Sequence, residues 1–229
     1  MTASNIQLVH ETLAPRSGHP PYPGVVFLHG RGSNEQDLLS LGPELDPRLY
    51  VVSARAPFAF GPGSYYWYDL EASMAGRPSR ESIEYSIDLV RQLIATTIDA
   101  HNIDAARLFI AGFSMGGAMT AAVMLMHPEE IAGALIFSGY VPIHSNLPWN
   151  LATARNKPVF EGHGTYDDVL PVEFGRMSRD FLVEAGVALT YREYPIAHSI
   201  SPAELADAAS WMRERLNGAS AAQPGVAAP

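Results

Sequence analysis

The sequence contains no cysteine, comparatively few basic residues and no long apolar run. Without cysteine the chain has no disulfide bonds, no thiolate metal ligands and no cysteine nucleophile. Lysine and arginine number 15 against 24 aspartate and glutamate residues, so the formal charge is −9. Because no basic cluster stands out, nucleic acids and anionic membrane surfaces are poor candidate partners. The lack of a bilayer-length apolar run predicts no stable membrane insertion.

The remaining composition is typical of a compact globular protein. Of 229 residues, 47% are hydrophobic and 17% are charged, which suits a chain that folds around a core. We expect one domain over residues 1–216 and a disordered tail over residues 217–229, where alanine, glycine and proline leave little to bury. The first five residues lack a basic segment followed by an apolar core, so we expect no signal peptide and a cytoplasmic location.

The stretch around Ser114 is the most informative part of the chain. Ser114 has Gly112 and Gly116 two residues away on either side, with an apolar run before them and a helix-like run after them. Gly-x-Ser-x-Gly between a strand and a helix is the pattern of a nucleophile elbow, a tight turn that exposes the serine hydroxyl. The five-residue pattern alone is weak, since glycine and serine are common in ordinary turns. Its position between strand and helix favours Ser114 as a nucleophile.

Short apolar runs alternate with helical patterns through most of the chain. Strands are predicted near residues 6–11, 25–28, 50–54, 108–112, 132–137, 159–161 and 188–194, and helices near 80–101, 118–126, 174–185 and 201–216. Ser33 and Gln36 have capping-box spacing ahead of a leucine stripe, so a further helix is expected there. This alternation predicts a single-domain α/β fold, with a mainly parallel sheet, helices on both faces and no large cap domain.

Residues 55–80 differ from the rest because glycine and proline alternate with six aromatic side chains. Loops of this length inside a compact domain are usually functional or disordered, and disordered segments rarely carry so many aromatic residues. We interpret the segment as a folded loop that lines a pocket, with Phe58, Tyr66 and Trp67 as candidate pocket residues. A loop that only covers the core is the alternative.

A catalytic serine needs a base that accepts its proton and a carboxylate that orients the base. On an elbow fold these partners follow in the order serine, acid, histidine. Among the later histidines, His127 is too close along the chain to Ser114, and His144 and His163 precede the acid candidates. His198, between the last strand and the last helix, is therefore the predicted base.

Two neighbouring carboxylates, Asp167 and Asp168, follow a predicted strand and compete for the role of the acid. Loops at the carboxyl ends of parallel strands are where functional side chains gather. One of the pair is expected to cap or solvate the turn. The spacing alone does not choose between them.

The oxyanion of an acyl-transfer reaction needs two backbone N–H donors. Met115 follows the serine, and Arg31 lies in the glycine loop after the first core strand, so these two are the predicted donors. The Arg31 side chain is then free to vary, or is an ordinary solvated charge at the pocket rim. We expect His29 to order the loop through a hydrogen bond, since it precedes the serine. No histidine and carboxylate spacing indicates a metal site, no glycine loop indicates bound phosphate, and no cofactor is expected.

Several motifs together resemble the phospholipase/carboxylesterase family of small α/β-hydrolases, which includes acyl-protein thioesterases and bacterial carboxylesterases. The resemblance runs from about residue 25 to residue 216. It is carried by Leu28-His29-Gly30-Arg31-Gly32, Ala56-Pro57, Trp67-Tyr68-Asp69, Gly112-Phe113-Ser114-Met115-Gly116-Gly117, His163-Gly164 with Asp167 and Pro171, and Ala197-His198-Ser199.

The resemblance implies a Ser114, Asp167 and His198 triad, with Arg31 and Met115 as oxyanion donors. It favours Asp167 as the acid because of its spacing from His163-Gly164 and Pro171. It also implies that Trp67 lies beside the acyl pocket. Two residues depart from the family's pattern: Met115 stands where many thioesterase-type members carry glutamine, and Arg31 where they often carry an apolar residue.

These features predict a serine carboxylesterase that hydrolyses esters of small or medium acyl chains through an acyl-enzyme, with a small-molecule ester as its substrate. A lysophospholipase or an acyl-thioesterase would use the same residues on a different leaving group. A binding module that has lost turnover is the alternative from another class. A homodimer that covers apolar surface near the aromatic segment is compatible with the sequence.

Overall fold

The computed structural model of the chain describes residues 8–71 and 77–221. Part of the aromatic segment (residues 72–76) and the last eight residues of the predicted tail (222–229) lie outside the described residues. The predicted strand at residues 6–11 begins within residues 1–7, which also lie outside the described residues. In the described part, the first strand starts at His10.

A seven-stranded sheet forms the centre of the fold. Its strands are β1 His10–Leu13, β2 Tyr22–Leu28, β3 Tyr50–Ala54, β8 Ile103–Phe113, β9 Gly133–Phe137, β10 Pro158–Gly164 and β11 Ala188–Tyr194. They lie in the order β1-β3-β2-β8-β9-β10-β11, in which β1 is antiparallel to β3 and the other neighbours are parallel. Two small ribbons join β4 Phe58–Gly61 to β5 Ser64–Tyr66 and β6 Leu70–Glu71 to β7 Arg77–Pro78.

Helices cover both faces of this sheet, as the alternation predicts. They are α1 Gly42–Leu45, α2 Arg80–His101, α3 Met115–Met126, α4 Leu151–Ala154, α5 Val172–Glu184 and α6 Pro202–Ala221. Among the helices described, none combines the length and apolarity that crossing a bilayer requires.

Strand β2 shows how the two layers of the core form. Its side chains alternate, so Val26 and Leu28 join the core under α2 and α3, whereas Val25 and Phe27 join the core under α6. All four are fully buried. A strand covered on both faces needs a continuous apolar run, and this is why β2 lacks polar alternation.

The helix predicted from Ser33 does not form. The backbone of Gly32 and Ser33 instead pairs with Tyr65 through N–H to O distances of 2.7 and 2.9 Å. The Asn34 side chain accepts the N–H of Gln36 at 3.0 Å, a local turn that competes with helix formation. A 3₁₀ turn at Leu39–Leu41 and the short α1 follow instead, so the capping-box spacing did not mark a helix start at Ser33.

The last helix is longer than predicted. It begins as expected, with the Ser201 hydroxyl accepting the N–H of Glu204 at 3.1 Å. It continues to Ala221, beyond the predicted domain end at residue 216. The first residues of the predicted tail are therefore helical.

A carboxyl group lies inside the core on β10. Glu161 is fully buried, and its two carboxyl oxygens have no hydrogen-bond partner among the described residues. Burial raises the pKa of Glu161 from 4.5 to about 8, although the nearby Ser178 hydroxyl and the Arg179 guanidinium, both on α5, oppose that shift. The side chain is therefore a neutral acid at pH 7.

We expect the stability of this fold to depend on pH through Glu161. The folded state holds a proton that the unfolded chain releases near pH 4.5, so the free energy of unfolding falls as pH rises towards about 8. The slope from one such group is at most about 1.4 kcal/mol per pH unit. Urea unfolding of wild type and Glu161→Gln at pH 5, 6.5 and 8 measures it: the variant should gain on wild type as pH rises. A constant difference between the two proteins would contradict the assignment.

Candidate active site

Ser114 occupies a strained turn between β8 and α3. Its backbone has φ 56° and ψ −118°, which is unusual for a residue with a side chain. Its N–H donates to the carbonyl oxygen of Phe137 at 2.9 Å. A β-carbon on Gly112 would overlap the Gly116 carbonyl, and one on Gly116 would overlap the Leu28 carbonyl. The two flanking glycines are required because α3 passes so close to the ends of the strands.

The predicted triad is assembled by hydrogen bonds. The Ser114 Oγ lies 2.9 Å from Nε2 of His198, and Nδ1 of His198 lies 2.6 Å from Oδ2 of Asp167. The His198 side chain is 14% exposed and that of Asp167 is fully buried. These contacts make Nδ1 the donor to the carboxylate and leave Nε2 to accept the serine proton.

The carboxylate that contacts His198 is that of Asp167 and not that of Asp168, which is exposed. The second oxygen of Asp167, Oδ1, accepts the backbone N–H groups of Val169 and Leu170 at 3.0 and 2.7 Å. The carboxylate is therefore held on both oxygens, one by the histidine and one by its own loop. Sequence spacing left the two aspartates open, because side-chain direction within a turn is set by these local bonds, and only the family resemblance favoured Asp167.

His163, set aside as a base by its order in the chain, supports the acid loop. Its ring is buried, and Nε2 donates to the Leu170 carbonyl at 2.8 Å. The same nitrogen lies 3.6 Å from Oδ2 of Asp167. Leu170 therefore links the two side chains, because its carbonyl binds His163 and its N–H binds Asp167. The His-Gly spacing was the available signal, but it did not reveal this contact.

The first glycine loop reaches the nucleophile. A β-carbon on Gly30 would lie 3.6 Å from Cβ of Ser114. Nε2 of His29 accepts the N–H of Ala56 at 3.0 Å, so Nδ1 is the donor to the Gly30 carbonyl at 2.7 Å. Burial keeps the pKa of His29 below its ordinary value, and the ring stays neutral. The predicted loop-ordering role of His29 agrees with these contacts.

Both predicted oxyanion donors belong to peptide groups whose carbonyl oxygens are already bonded. His29 binds the carbonyl of the peptide that carries the Arg31 N–H, and the Ala118 N–H binds the Ser114 carbonyl at 3.0 Å. Because a peptide group is planar, fixing the oxygen fixes the direction of the N–H on its other side. The arrangement can offer two oriented N–H donors next to the serine hydroxyl.

The structure places Trp67 in the support of this loop and not in a pocket. Its side chain is fully buried, and its indole N–H donates to the His29 carbonyl at 2.8 Å. Its backbone N–H points to the sulfur of Met115 at 3.3 Å. The prediction that Trp67 lines the pocket is therefore corrected, since the ring is enclosed and its polar atom is engaged.

A groove of about 290 Å³ opens beside Arg31. It is lined by Arg31, Ala59, Phe60, Tyr66, Tyr68, Asp69 and Leu70. Tyr66 lines this groove, whereas Phe58 stacks on the Tyr66 ring with centroids 5.3 Å apart. The Arg31 guanidinium lies 4.5 Å over the Phe60 ring, so this exposed charge is stacked rather than simply solvated.

One group of possible metal ligands lies away from the triad. Within the described residues, ligand atoms of His127, Glu129 and Glu130 lie within 4.8 Å of one another. Glu130 already accepts the Arg91 guanidinium at 2.8 Å. The group follows the C-terminal end of α3, a helix of 12 residues that separates it from Ser114 by about 18 Å. The sequence spacing did not indicate this group of possible metal ligands, and the group lies too far from Ser114 to take part in the triad.

The chain is similar to known esterases and thioesterases. The sequence model of the Phospholipase/Carboxylesterase family matches residues 13–216. A probable carboxylesterase, SOBER1-like, of Arabidopsis thaliana is 34% identical over 67% of this chain and 60% of its own length, so this match spans less than two thirds of that relative. Acyl-protein thioesterase 1 of Debaryomyces hansenii is 27% identical over 92% of this chain and 98% of its own. The crystal structure of esterase PE8 superposes with a TM-score of 0.80 and 27% identity, covering 91% of this chain and 99% of that one.

The two aspartates offer a matched pair of substitutions. Asp167→Asn should leave the fold intact but lower kcat by about 10⁴-fold, because an amide no longer holds His198 in the required tautomer. Asp168→Asn, one residue away and exposed, should retain wild-type kcat. Steady-state ester hydrolysis by both variants, with circular dichroism as the check on folding, measures the difference. Equal losses in the two variants would contradict the placement of the acid.

Proposed function

The chain belongs to the phospholipase/carboxylesterase family, and we propose that it hydrolyses carboxylic esters with Ser114 as nucleophile, His198 as base and Asp167 as the orienting acid. The comparisons confirm three predictions made from the sequence: the family, the α/β-hydrolase fold and the hydrolase class. The residue roles are the proposal. The observation that carries them is the pair of hydrogen bonds joining Ser114 to His198 and His198 to Asp167.

The proposed reaction is acyl transfer to water in two steps. Ser114 Oγ attacks the ester carbonyl carbon while Nε2 of His198 takes the hydroxyl proton. The tetrahedral oxyanion receives the N–H groups of Arg31 and Met115. His198 then protonates the departing alcohol, and a water molecule attacks the acyl-enzyme with His198 again as base. Asp167 orients His198 and stabilises the charged imidazole.

The size of the groove supports small or medium esters. Its volume of about 290 Å³ is at the low end for sites that hold drug-sized ligands. Its lining includes Arg31, which follows Gly30, and the Gly30 backbone lies close to Ser114. Aromatic rings, the Arg31 guanidinium and the Asp69 carboxylate give it a mixed apolar and polar lining that suits a short ester.

Acyl-thioester hydrolysis is the second candidate. It is favoured by the acyl-protein thioesterase 1 of Debaryomyces hansenii, to which this chain is similar over nearly the whole of both lengths. The same triad serves either leaving group. A binding module without turnover is disfavoured, because an assembled and strained elbow serine has no use in it.

The first test is the nucleophile itself. Ser114→Ala should lose several powers of ten in kcat/KM for 4-nitrophenyl esters while keeping the fold, because it removes the hydroxyl that is bonded to His198. A fluorophosphonate should add once to wild type at Ser114 and not to the variant, as read by intact mass and peptide mapping. Appreciable ester turnover by the folded variant would contradict the proposal.

The acyl range and the leaving group form the second test. Along 4-nitrophenyl esters from acetate to palmitate, kcat/KM should be highest for short and medium chains and fall for long ones, since the groove is small. Matched oxygen and sulfur esters of the same acyl group separate the two candidates. A clear preference for palmitate or for the thioester would favour the second candidate over the first.

The remaining predictions concern partners and location. Absence of nucleic-acid partners, a homodimer and a cytoplasmic location stay predictions. Light scattering of the purified protein tests the oligomeric state, and cell fractionation tests the location.

A further inference from the structure

We propose that Trp67 is a positioning residue that holds the two oxyanion donors in place relative to each other. The inference rests on the proposed function, because it takes the Arg31 and Met115 N–H groups as the donors. Those donors come from different parts of the fold, one following β2 and the other opening α3. Trp67 makes a hydrogen bond to each of the two segments.

The first bond fixes the loop after β2. The indole N–H of Trp67 donates to the His29 carbonyl at 2.8 Å, and the indole ring lies against the His29 ring with centroids 5.4 Å apart. His29 in turn binds the Gly30 carbonyl, which belongs to the peptide carrying the Arg31 N–H. Trp67 therefore restrains the backbone and the side chain that orient the first donor.

The second bond fixes the start of α3. The backbone N–H of Trp67 points to Met115 Sδ at 3.3 Å. A thioether is a weak acceptor but a polarisable one that fits closely packed surroundings. The Met115 side chain is 6% exposed, so this contact is shielded from water. The residue whose N–H is the second donor is thus also tied to Trp67.

Trp67 is itself held rigidly enough to act in this way. Its side chain is fully buried, and its carbonyl oxygen accepts the Ser86 hydroxyl at 2.5 Å. Ser86 lies on α2, the longest helix described. All three polar groups of Trp67 are therefore bonded to different elements of the fold: α2, the loop after β2, and α3.

This restraint by Trp67 matters because the backbone of the loop that carries the Arg31 N–H is flexible by composition. Arg31 lies between two glycines, and glycine loses more conformational freedom on ordering than any other residue. Oxyanion donors act only when they are held within about 0.5 Å of the productive geometry. Loosening the loop should weaken transition-state binding more than substrate binding, because the oxyanion forms only during reaction.

The test compares Trp67→Phe with Trp211→Phe. Trp211 is also buried, packs edge-on against Phe109 on the other face of the sheet, and has an indole N–H without a partner among the described residues. Trp67→Phe should lower kcat by about 10- to 100-fold, less than or near the loss of a whole donor, with KM changed less than about threefold. Affinity for a trifluoromethyl ketone should fall by the same factor as kcat. Trp211→Phe should lower the melting temperature and leave kcat at the wild-type value.

A second replacement isolates the N–H from the ring. If Trp67→Phe fails to fold, benzothienylalanine at position 67 keeps the bicyclic shape and removes only the donor. The same losses of kcat and inhibitor affinity are then expected. A wild-type kcat with either replacement in folded protein would overturn the inference, as would equal effects at positions 67 and 211.

Failure of the proposed function gives a different result. It would appear as wild-type protein that neither turns over esters nor reacts with a fluorophosphonate at Ser114. Failure of the inference alone leaves wild type and the Trp67 variants equally reactive towards both. Slower phosphonylation of the Trp67 variants than of wild type supports the inference without reference to any natural substrate.

Discussion

The close approach of α3 to the ends of β2 and β8 is the constraint on which the site depends. Gly112 and Gly116 have no room for a side chain, so the helix can start directly against the strand carbonyls. Ser114, at the start of this helix, has a positive φ, and its hydroxyl faces His198. The close approach also brings the first N–H of α3 beside the loop after β2. The nucleophile and both predicted donors are thus consequences of one packing contact.

The sequence predicted the parts of the site that depend on chain order. A nucleophile elbow requires a strand, a glycine-flanked serine and a helix, and these patterns are local and strong around Ser114. His198 followed from its place before the last helix, because parallel strands bring their carboxyl ends to one edge of the sheet. The sheet itself was readable, since strands buried on both faces must be continuously apolar.

Other features could not be predicted from sequence patterns, because they depend on side-chain direction within a turn or on contacts between distant residues. Whether Asp167 or Asp168 faces His198 is decided by two backbone N–H groups in the same turn. Trp67 looked like a pocket residue because its neighbours are aromatic, yet its indole is enclosed and bonded to His29. The helix expected after Ser33 gave way to pairing with Tyr65, a tertiary contact that outweighs local spacing. No pattern marks Glu161 as buried, since its strand neighbours are typical of any core strand.

The predicted oxyanion donors are main-chain atoms, so the reaction and the substrate preference depend on different atoms of the same residue. Residue 31 can exchange its side chain without deleting the N–H that it supplies, and that same side chain forms one wall of the groove with Phe60. Selection can therefore retune which ester is accepted at positions 31 and 60 while turnover persists at every step. For an engineer, these two positions define a small combinatorial library in which most members should remain active enough to screen.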